Sequence, residues 1–277
     1  NSTKQITAAM KMVSAAKLRR AQDAIVRMRP YAEKLQTILG NVSASLDSSE
    51  GTYSAQREVK KVLLVAIVSN RGLAGAFNTQ VYRSIRRLVP MHEAQGRTVH
   101  VLPVGKKALD TYRRTSLFNA ELPTDLARLF EGLSFDKAAP VAELIMKLFA
   151  DGTYDEVTLV YNKFKNAAVQ VIAEEQYLPV APIATTAKTT KVDHIMEPDR
   201  ATIVEEIIPK SLKIQFYKAL LDSHAAEHGA RMTAMHKATD NADSLLKGLK
   251  LTYNKARQAS ITNEILEIVG GAEALKG

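Results

Sequence analysis

The 277-residue chain has no cysteine and no tryptophan, and aromatic residues of all kinds make up only 6% of it. Without cysteine there is no disulfide framework, no thiolate metal site, no cysteine nucleophile and no thiol redox role; a reducing compartment fits but is not required. Long apolar runs are missing too: no stretch approaches the ~18 residues that span a bilayer, and the polar start "NSTKQITAAM" lacks the apolar core of a signal peptide. An initiator Met is also absent, so a trimmed or processed N-terminus is expected. No Ser, His and Asp cluster is recognisable, and no catalytic constellation is expected.

What is present has the balance of a globular protein, with 46% hydrophobic and 24% charged residues. The length suffices for one or two domains, since single cores seldom grow past roughly 250 to 300 residues. The formal charge is +9. Residues 1–40 carry Lys4, Lys11, Lys17, Arg19, Arg20, Arg27, Arg29 and Lys34 against only Asp23 and Glu33. That basic segment favours an acidic partner, a nucleic acid or an anionic surface.

In the last third, Met232, Met235, Thr239, Ala242, Leu246, Leu249, Tyr253 and Ala256 alternate in steps of three and four, the 3.5-residue period of a coiled coil. Backward, the seam passes through His228, Ala225 and Leu221. A helix from about Lys210 to Val269 would be roughly 90 Å long and must protrude. The N-terminal stretch has the same rhythm in Leu18, Ala21, Ile25, Met28, Ala32, Leu35, Leu39, Val42 and Leu46, until "DSSEGTYSAQ" breaks it. Pro30 is expected to kink that helix or remove one backbone bond, and Gly229 and Gly248 each cost ~1 kcal/mol that packing must offset.

Between the heptad segments the period changes. "KKVLLVAIVSN" (60–70), "RTVHVLPVG" (97–105) and "YDEVTLVYNKF" (154–164) are β-branched apolar runs separated by helical stretches at 76–94 and 135–150. Such alternation predicts a largely parallel sheet covered by helices, with "KFKNAAVQVIAEEQ" returning as an antiparallel strand. The expected fold is therefore α/β plus a long antiparallel helical coiled coil. Residues 1–50 form one shaft helix, 51–178 an inserted sheet domain, 179–208 a linker rich in Thr, Pro and Lys, and 209–277 the second shaft helix.

Three motifs carry competing readings. "SNRGLAGAFN" (69–78) follows a strand and opens a helix, but Gly72 and Gly75 have neither dinucleotide-fingerprint nor P-loop spacing, so a tight turn with close packing is expected. "HAAEH" (224–228) matches a zinc pattern; with His228 on the coiled-coil seam, an exposed His beside a seam His is the better reading. A zipper-type DNA-binding region would run its basic stretch into a parallel zipper, whereas here the basic helix is itself heptad-patterned.

"TKQITAAMKMVSAAKLRRAQ" (3–22), "SNRGLAGAFN", "EHGARMTAMHKATDNA" (227–242) and "YNKARQASITNEILEIVGGAEAL" (253–275) together resemble the gamma-subunit family of F-type ATP synthases over essentially the whole chain. The terminal pattern Ile261, Thr262, Glu264, Glu267, Gly271, Ala272 is its most specific element. Asn70 stands where the family commonly has Asp and Ala74 where many members have Cys, and the two-cysteine insertion of chloroplast members is absent.

The resemblance implies a non-catalytic rotor shaft with a Rossmann-like foot and no cofactor or metal. It would couple ion-driven rotation of a membrane c-ring to ATP synthesis or hydrolysis at a hexamer of alpha and beta subunits, with an epsilon subunit at the foot. It also implies that Arg257 and Gln258 bond a loop of one beta subunit, and that Arg231, Thr262 and Glu264 are tied to coupling. Met10, Lys11, Lys17, Arg19 and Arg20 would face acidic levers of beta. Membrane association would come only through the complex, on the cytoplasmic face of a bacterial membrane or, alternatively, at an organelle inner membrane, with no nucleic-acid role. The rival reading is an α/β nucleotide-binding enzyme with a coiled-coil arm.

Overall fold

The computed structural model describes residues 2–43, 52–180 and 200–275. In chain order the elements are α1 (Ser2–Ser43), β1 (Lys61–Ile67), α2 (Phe77–Glu93), β2 (Thr98–Val104), α3 (Lys106–Tyr112), a 3-10 turn (Leu126–Phe130), α4 (Phe135–Ala150), β3 (Glu156–Phe164), β4 (Gln170–Leu178) and α5 (Arg200–Ala274). The four strands lie in the order β2-β1-β3-β4. β1 is parallel to both neighbours and β4 is antiparallel to β3, as expected of the three apolar runs and their return strand.

After the exposed Lys61, the β1 sequence is apolar because both faces of the sheet are covered. Successive side chains point to opposite faces. Leu63, Val65 and Ile67 pack with Ile145 and Phe149 of α4 and with Leu212, Phe216 and Leu220 of α5. Val62, Leu64 and Ala66 pack with Val81 and Ile85 of α2 and Ala108 of α3. The base of α5 is thus a core helix of the sheet domain before it becomes anything else.

Above the sheet, α5 meets α1. Thr7, Ser14, Leu18, Ala21 and Leu35 are buried on one stripe of α1, spaced in multiples of the 3.5-residue period. The pairing is antiparallel: Leu18 and Ala21 pack on Ala225, Thr239 donates to the Thr7 hydroxyl at 2.8 Å, and Lys4 forms an ion pair with Asp243. α1 runs through Pro30 without ending. Small residues at the contact let the two axes approach closely.

The structure differs from the sequence reading in four places. α5 is already helical at Arg200, inside the stretch assigned to the linker, whose residues 181–199 lie outside the described residues. Among the described residues the coiled-coil seam is covered as far as Leu246, with Lys4 of α1 level with Asp243; Leu249 and Tyr253 are each 67% exposed. Gly248 has nothing within 4 Å, so packing does not offset its cost. α3 and the 3-10 turn were not expected; both are too short to show a period. Leu46 lies outside the described residues, as do the side chains of Leu39 and Val42.

Gly105, which joins β2 to α3, has φ 103°, and a Cβ there would sit 2.2 Å from the Val68 carbonyl oxygen. Gly105→Ala is expected to destabilise the sheet domain by ~3 kcal/mol or more, whereas Gly248→Ala should stabilise its helix by up to ~1 kcal/mol. Melts followed by circular dichroism separate the two.

Candidate functional site

Beyond Leu246, every described side chain of α5 is exposed, so this end of the shaft carries its own surface and nothing else. Arg257, Gln258, Thr262 and Glu264 all lie on it. At 100° per residue they share one side of the helix with Ile261, Ile265, Ile268 and Val269. Those four apolar side chains are 45%, 55%, 72% and 52% exposed. The Thr262 hydroxyl donates back to the Gln258 backbone carbonyl at 2.9 Å, and Arg257 and Gln258 are both exposed. An apolar patch of this kind, edged by few polar groups, is the mark of a surface that another protein covers.

Lower on the shaft, α1 presents Met10, Val13, Lys17 and Arg20 at helical spacing along one side. Met10 and Lys17 line a groove of ≈ 990 Å³ closed by the loop after β1 and by α5. Arg20 lines a second groove of ≈ 510 Å³ with Arg27 and Tyr217. Lys17, Arg19 and Arg20 are exposed, while Met10 and Lys11 are half-buried. Arg19, about 200° around the helix from Lys17, faces elsewhere. The expected basic cluster is therefore split between two sides of α1.

Arg231 is the site residue that the structure turns inward. It is only 7% exposed. Its Nη1 donates to Glu227 Oε1 at 2.6 Å and to His228 Nδ1 at 3.3 Å. Its Nη2 donates to the Arg71 carbonyl at 2.9 Å, and Nε reaches the Gly72 carbonyl at 3.4 Å. Arg231, expected to be tied to coupling and to face a partner subunit, has its donors turned within the chain, where they hold α5 to the loop after β1. The warning signal was the adjacent Glu227, one helical turn away.

The "HAAEH" stretch is a hydrogen-bond ladder. Because Arg231 donates to His228 Nδ1, the His228 proton sits on Nε2 and points at His224 Nε2, 3.1 Å away. His224 stacks on Phe130 with ring centroids 6.0 Å apart, so it is half-buried rather than exposed. Desolvation first, then neighbouring cations, push the His224 imidazole down to about 4. Desolvation, then His224 and Arg231, push His228 down to about 3. The donor set does not fit zinc: Arg231 occupies the Glu227 carboxylate, and among the described residues no group of three His, Asp or Glu converges.

The "SNRGLAGAFN" turn is a tied pedestal for that ladder. Ser69 Oγ donates to the Arg71 carbonyl at 2.7 Å. Asn70 donates to the Ala127 carbonyl at 2.7 Å and accepts from the Lys106 N–H at 3.0 Å. Leu73 and Gly75 both take positive φ, 62° and 57°, the conformation that turns the chain into α2. Gly72 itself has nothing within 4 Å, so close packing is not its reason.

A family model described as ATP synthase matches residues 1–275. The ATP synthase gamma chain of Flavobacterium psychrophilum is 55% identical over 278 residues, covering 100% of this chain and 95% of that one. Those of Cytophaga hutchinsonii and Chlorobaculum tepidum are 52% and 41% identical, with 99% of this chain covered in each case and 95% and 94% of theirs. Among solved structures, a chain of the Tetrahymena thermophila mitochondrial ATP synthase central stalk and c-ring matches with TM-score 0.61 and 26% identity, over 84% of this chain and 99% of that one. A chain of the Euglena gracilis mitochondrial ATP synthase rotor shares the fold at 21% identity, TM-score 0.54, over 89% of this chain and 99% of that one.

Arg231→Leu would leave the buried Glu227 carboxylate without its cation, and a loss of ~3–5 kcal/mol is expected, most of it recovered by adding Glu227→Leu. The histidines predict a pH effect. Both are held below their ordinary value of 6.5, so the unfolded chain takes up these protons first. Their contribution to stability is whole above pH 6.5 and fades as pH falls toward 4. Melting temperatures of the wild type and of a His224→Gln, His228→Gln variant should accordingly converge or cross between pH 7 and 5, the wild type losing more.

Proposed function

The chain belongs to the gamma-chain family of ATP synthases, and from that premise we propose that it is the central rotor shaft of an F-type enzyme, coupling ion-driven rotation of a membrane ring to ATP synthesis or hydrolysis in an alpha–beta hexamer. The observation that carries the mechanical part is the single 75-residue helix α5. Its base is locked in the sheet core, its middle is paired with α1, and its end is bare. One covalent rod thus links a broad foot to a thin tip, which is what transmission of torque requires.

In this reading the foot rests on the ring with an epsilon subunit, and the tip turns inside the hexamer. The rod is asymmetric, so each orientation presents a different surface to the three catalytic beta subunits. A bearing cannot be all salt bridges, since fixed ion pairs resist rotation. The apolar side formed by Ile261, Ile265 and Ile268 slides, and Arg257 and Gln258 supply directional donors that a beta loop catches at defined angles. Thr262 and Glu264 flank them, and Lys17 and Arg20 attract acidic levers lower down. Lys11, half-buried, and Arg19, on the far side, are placed to contribute less.

The chain performs no bond chemistry of its own. A nucleotide enzyme with a helical arm is not favoured, because Gly72 and Gly75 in the loop after β1 have neither dinucleotide-fingerprint nor P-loop spacing. No helix among the described residues is long and apolar enough to cross a membrane, so attachment runs through the complex. The bacterial relatives support the cytoplasmic face of a bacterial membrane.

Two measurements bear on this. Arg257→Ala with Gln258→Ala should lower multisite ATPase of the assembled complex several-fold while leaving the circular-dichroism spectrum unchanged; full rates would remove the assigned role. Neutralising Lys17 and Arg20 together should weaken coupling more than neutralising Arg19 alone. Equal effects, or none, would return these cations to ordinary solvated surface.

A further inference from the structure

We propose that Gly229, Arg231 and Thr233 form a torque collar, the joint at which the foot grips α5 from opposite sides at one level and passes rotation into the shaft. The inference rests on the rotor reading and adds to it the place where twist is transferred.

One jaw is the turn between β3 and β4. A Cβ on Gly229 would sit 3.1 Å from the Ala167 carbonyl oxygen and 3.2 Å from the Ala167 Cα, so the hairpin backbone bears directly on the helix. One turn along, Thr233 Oγ1 donates to the same Ala167 oxygen at 3.1 Å. The turn is itself stiff: Asn166 Oδ1 accepts from the Ala168 and Val169 N–H groups at 3.0 and 2.7 Å. Ala167 also packs beside Leu18, Ala21 and Ala225, where α1 and α5 meet. The hairpin therefore touches both helices.

The other jaw is the pedestal after β1. Arg231 lies two residues past Gly229, about 200° around the helix axis, and its guanidinium donates to the Arg71 and Gly72 carbonyls. From 229 to 233 the helix rises only ~6 Å. Both jaws belong to the sheet domain, one at the carboxyl end of β1 and the other at that of β3.

Mechanics explains why two opposed contacts matter. A force at a single point on a rod pushes it sideways as well as turning it. Equal and opposite forces across the axis form a couple and turn it without displacement. The lever arm here is only the helix radius, ~5 Å, so small slack at the contact becomes a large angle at the tip. Backbone contact and directional hydrogen bonds allow little slack. The apolar packing of Phe216 and Leu220 below is non-directional and resists rotation less sharply. Gly229 and Thr233 are positioning residues in this scheme, remote from any reacting atom.

The test uses the complete complex reconstituted in sealed vesicles. Thr233→Val keeps the shape and removes the bond to Ala167; Gly229→Val drives the hairpin off the helix. Ions pumped per ATP hydrolysed should fall, because loss of one such contact raises the slipped population about two- to ten-fold relative to the engaged one. ATPase of the soluble alpha–beta sector carrying the same chain should stay at wild-type level, and Thr233→Ser should restore pumping. A wild-type pumping ratio together with unchanged single-molecule torsional stiffness in both variants would overturn the collar.

Should the substitutions block assembly, the cysteine-free chain allows an Ala167→Cys, Thr233→Cys pair to be oxidised in place. A rigid joint predicts that the cross-link leaves pumping unchanged, and a loss reversed by reductant would refute it. A wild-type complex that hydrolyses ATP and never pumps would instead sink the rotor reading, a different outcome from any confined to the variants.

Discussion

The burial of the α5 base in the sheet core is the contact on which the rest of the molecule depends. Leu212, Phe216, Ala219 and Leu220 are fully or almost fully removed from water against strands of the sheet and against α4. At roughly 25 cal/mol per Å² of apolar surface, burying a Leu or Phe side chain contributes ~1.5–3 kcal/mol, and several act together along these turns of helix. The shaft is anchored because its lowest turns belong to a globular core. Detach them, and a two-helix coil with small residues on its seam has little to define its direction relative to the foot.

The same helix changes neighbours twice. It lies in the sheet core up to about Leu221, packs on the loops of the sheet domain and on α1 through about Thr233, and has only α1 beside it among the described residues from there to Leu246. At the first change the chain must place polar groups at a crowded junction. It does so with Arg231 and Glu227 as a buried pair and with two imidazoles kept neutral by desolvation. A buried ion pair seldom adds much net stability, but it is directional, and removing one member leaves an unpaired charge. Asp222, also buried beside this junction, has its carboxyl pushed up to about 6, mainly by desolvation.

Much of this was legible in the sequence. The β-branched runs named the strands to within a few residues, and the heptads of both ends named Leu18, Ala21 and Ala225 as seam positions without giving their register. Heptads could not say which seam positions are covered, because Leu249 and Tyr253 keep the pattern where no described residue of α1 lies against them. Pattern reports what a surface is suited to meet, whether or not the same chain meets it. The burial of Arg231 was not legible for a related reason: it depends on Arg71 and Gly72, 160 and 159 residues away in the chain. Asn70 looked like a minor departure from Asp, yet its amide donates to Ala127 and accepts from Lys106, a pairing that an ionised Asp cannot supply.

The shape also sets how such a molecule can be put into a socket. Among the described residues the far end of α5 is one helix thick, the middle is two, and the base is as wide as a four-stranded sheet with helices on both faces. It is a tapered bolt with a head. Entry is possible from one direction only, and insertion halts where the girth first exceeds the bore, so seating depth is fixed by steric profile, independent of the strength of any single attraction at the point.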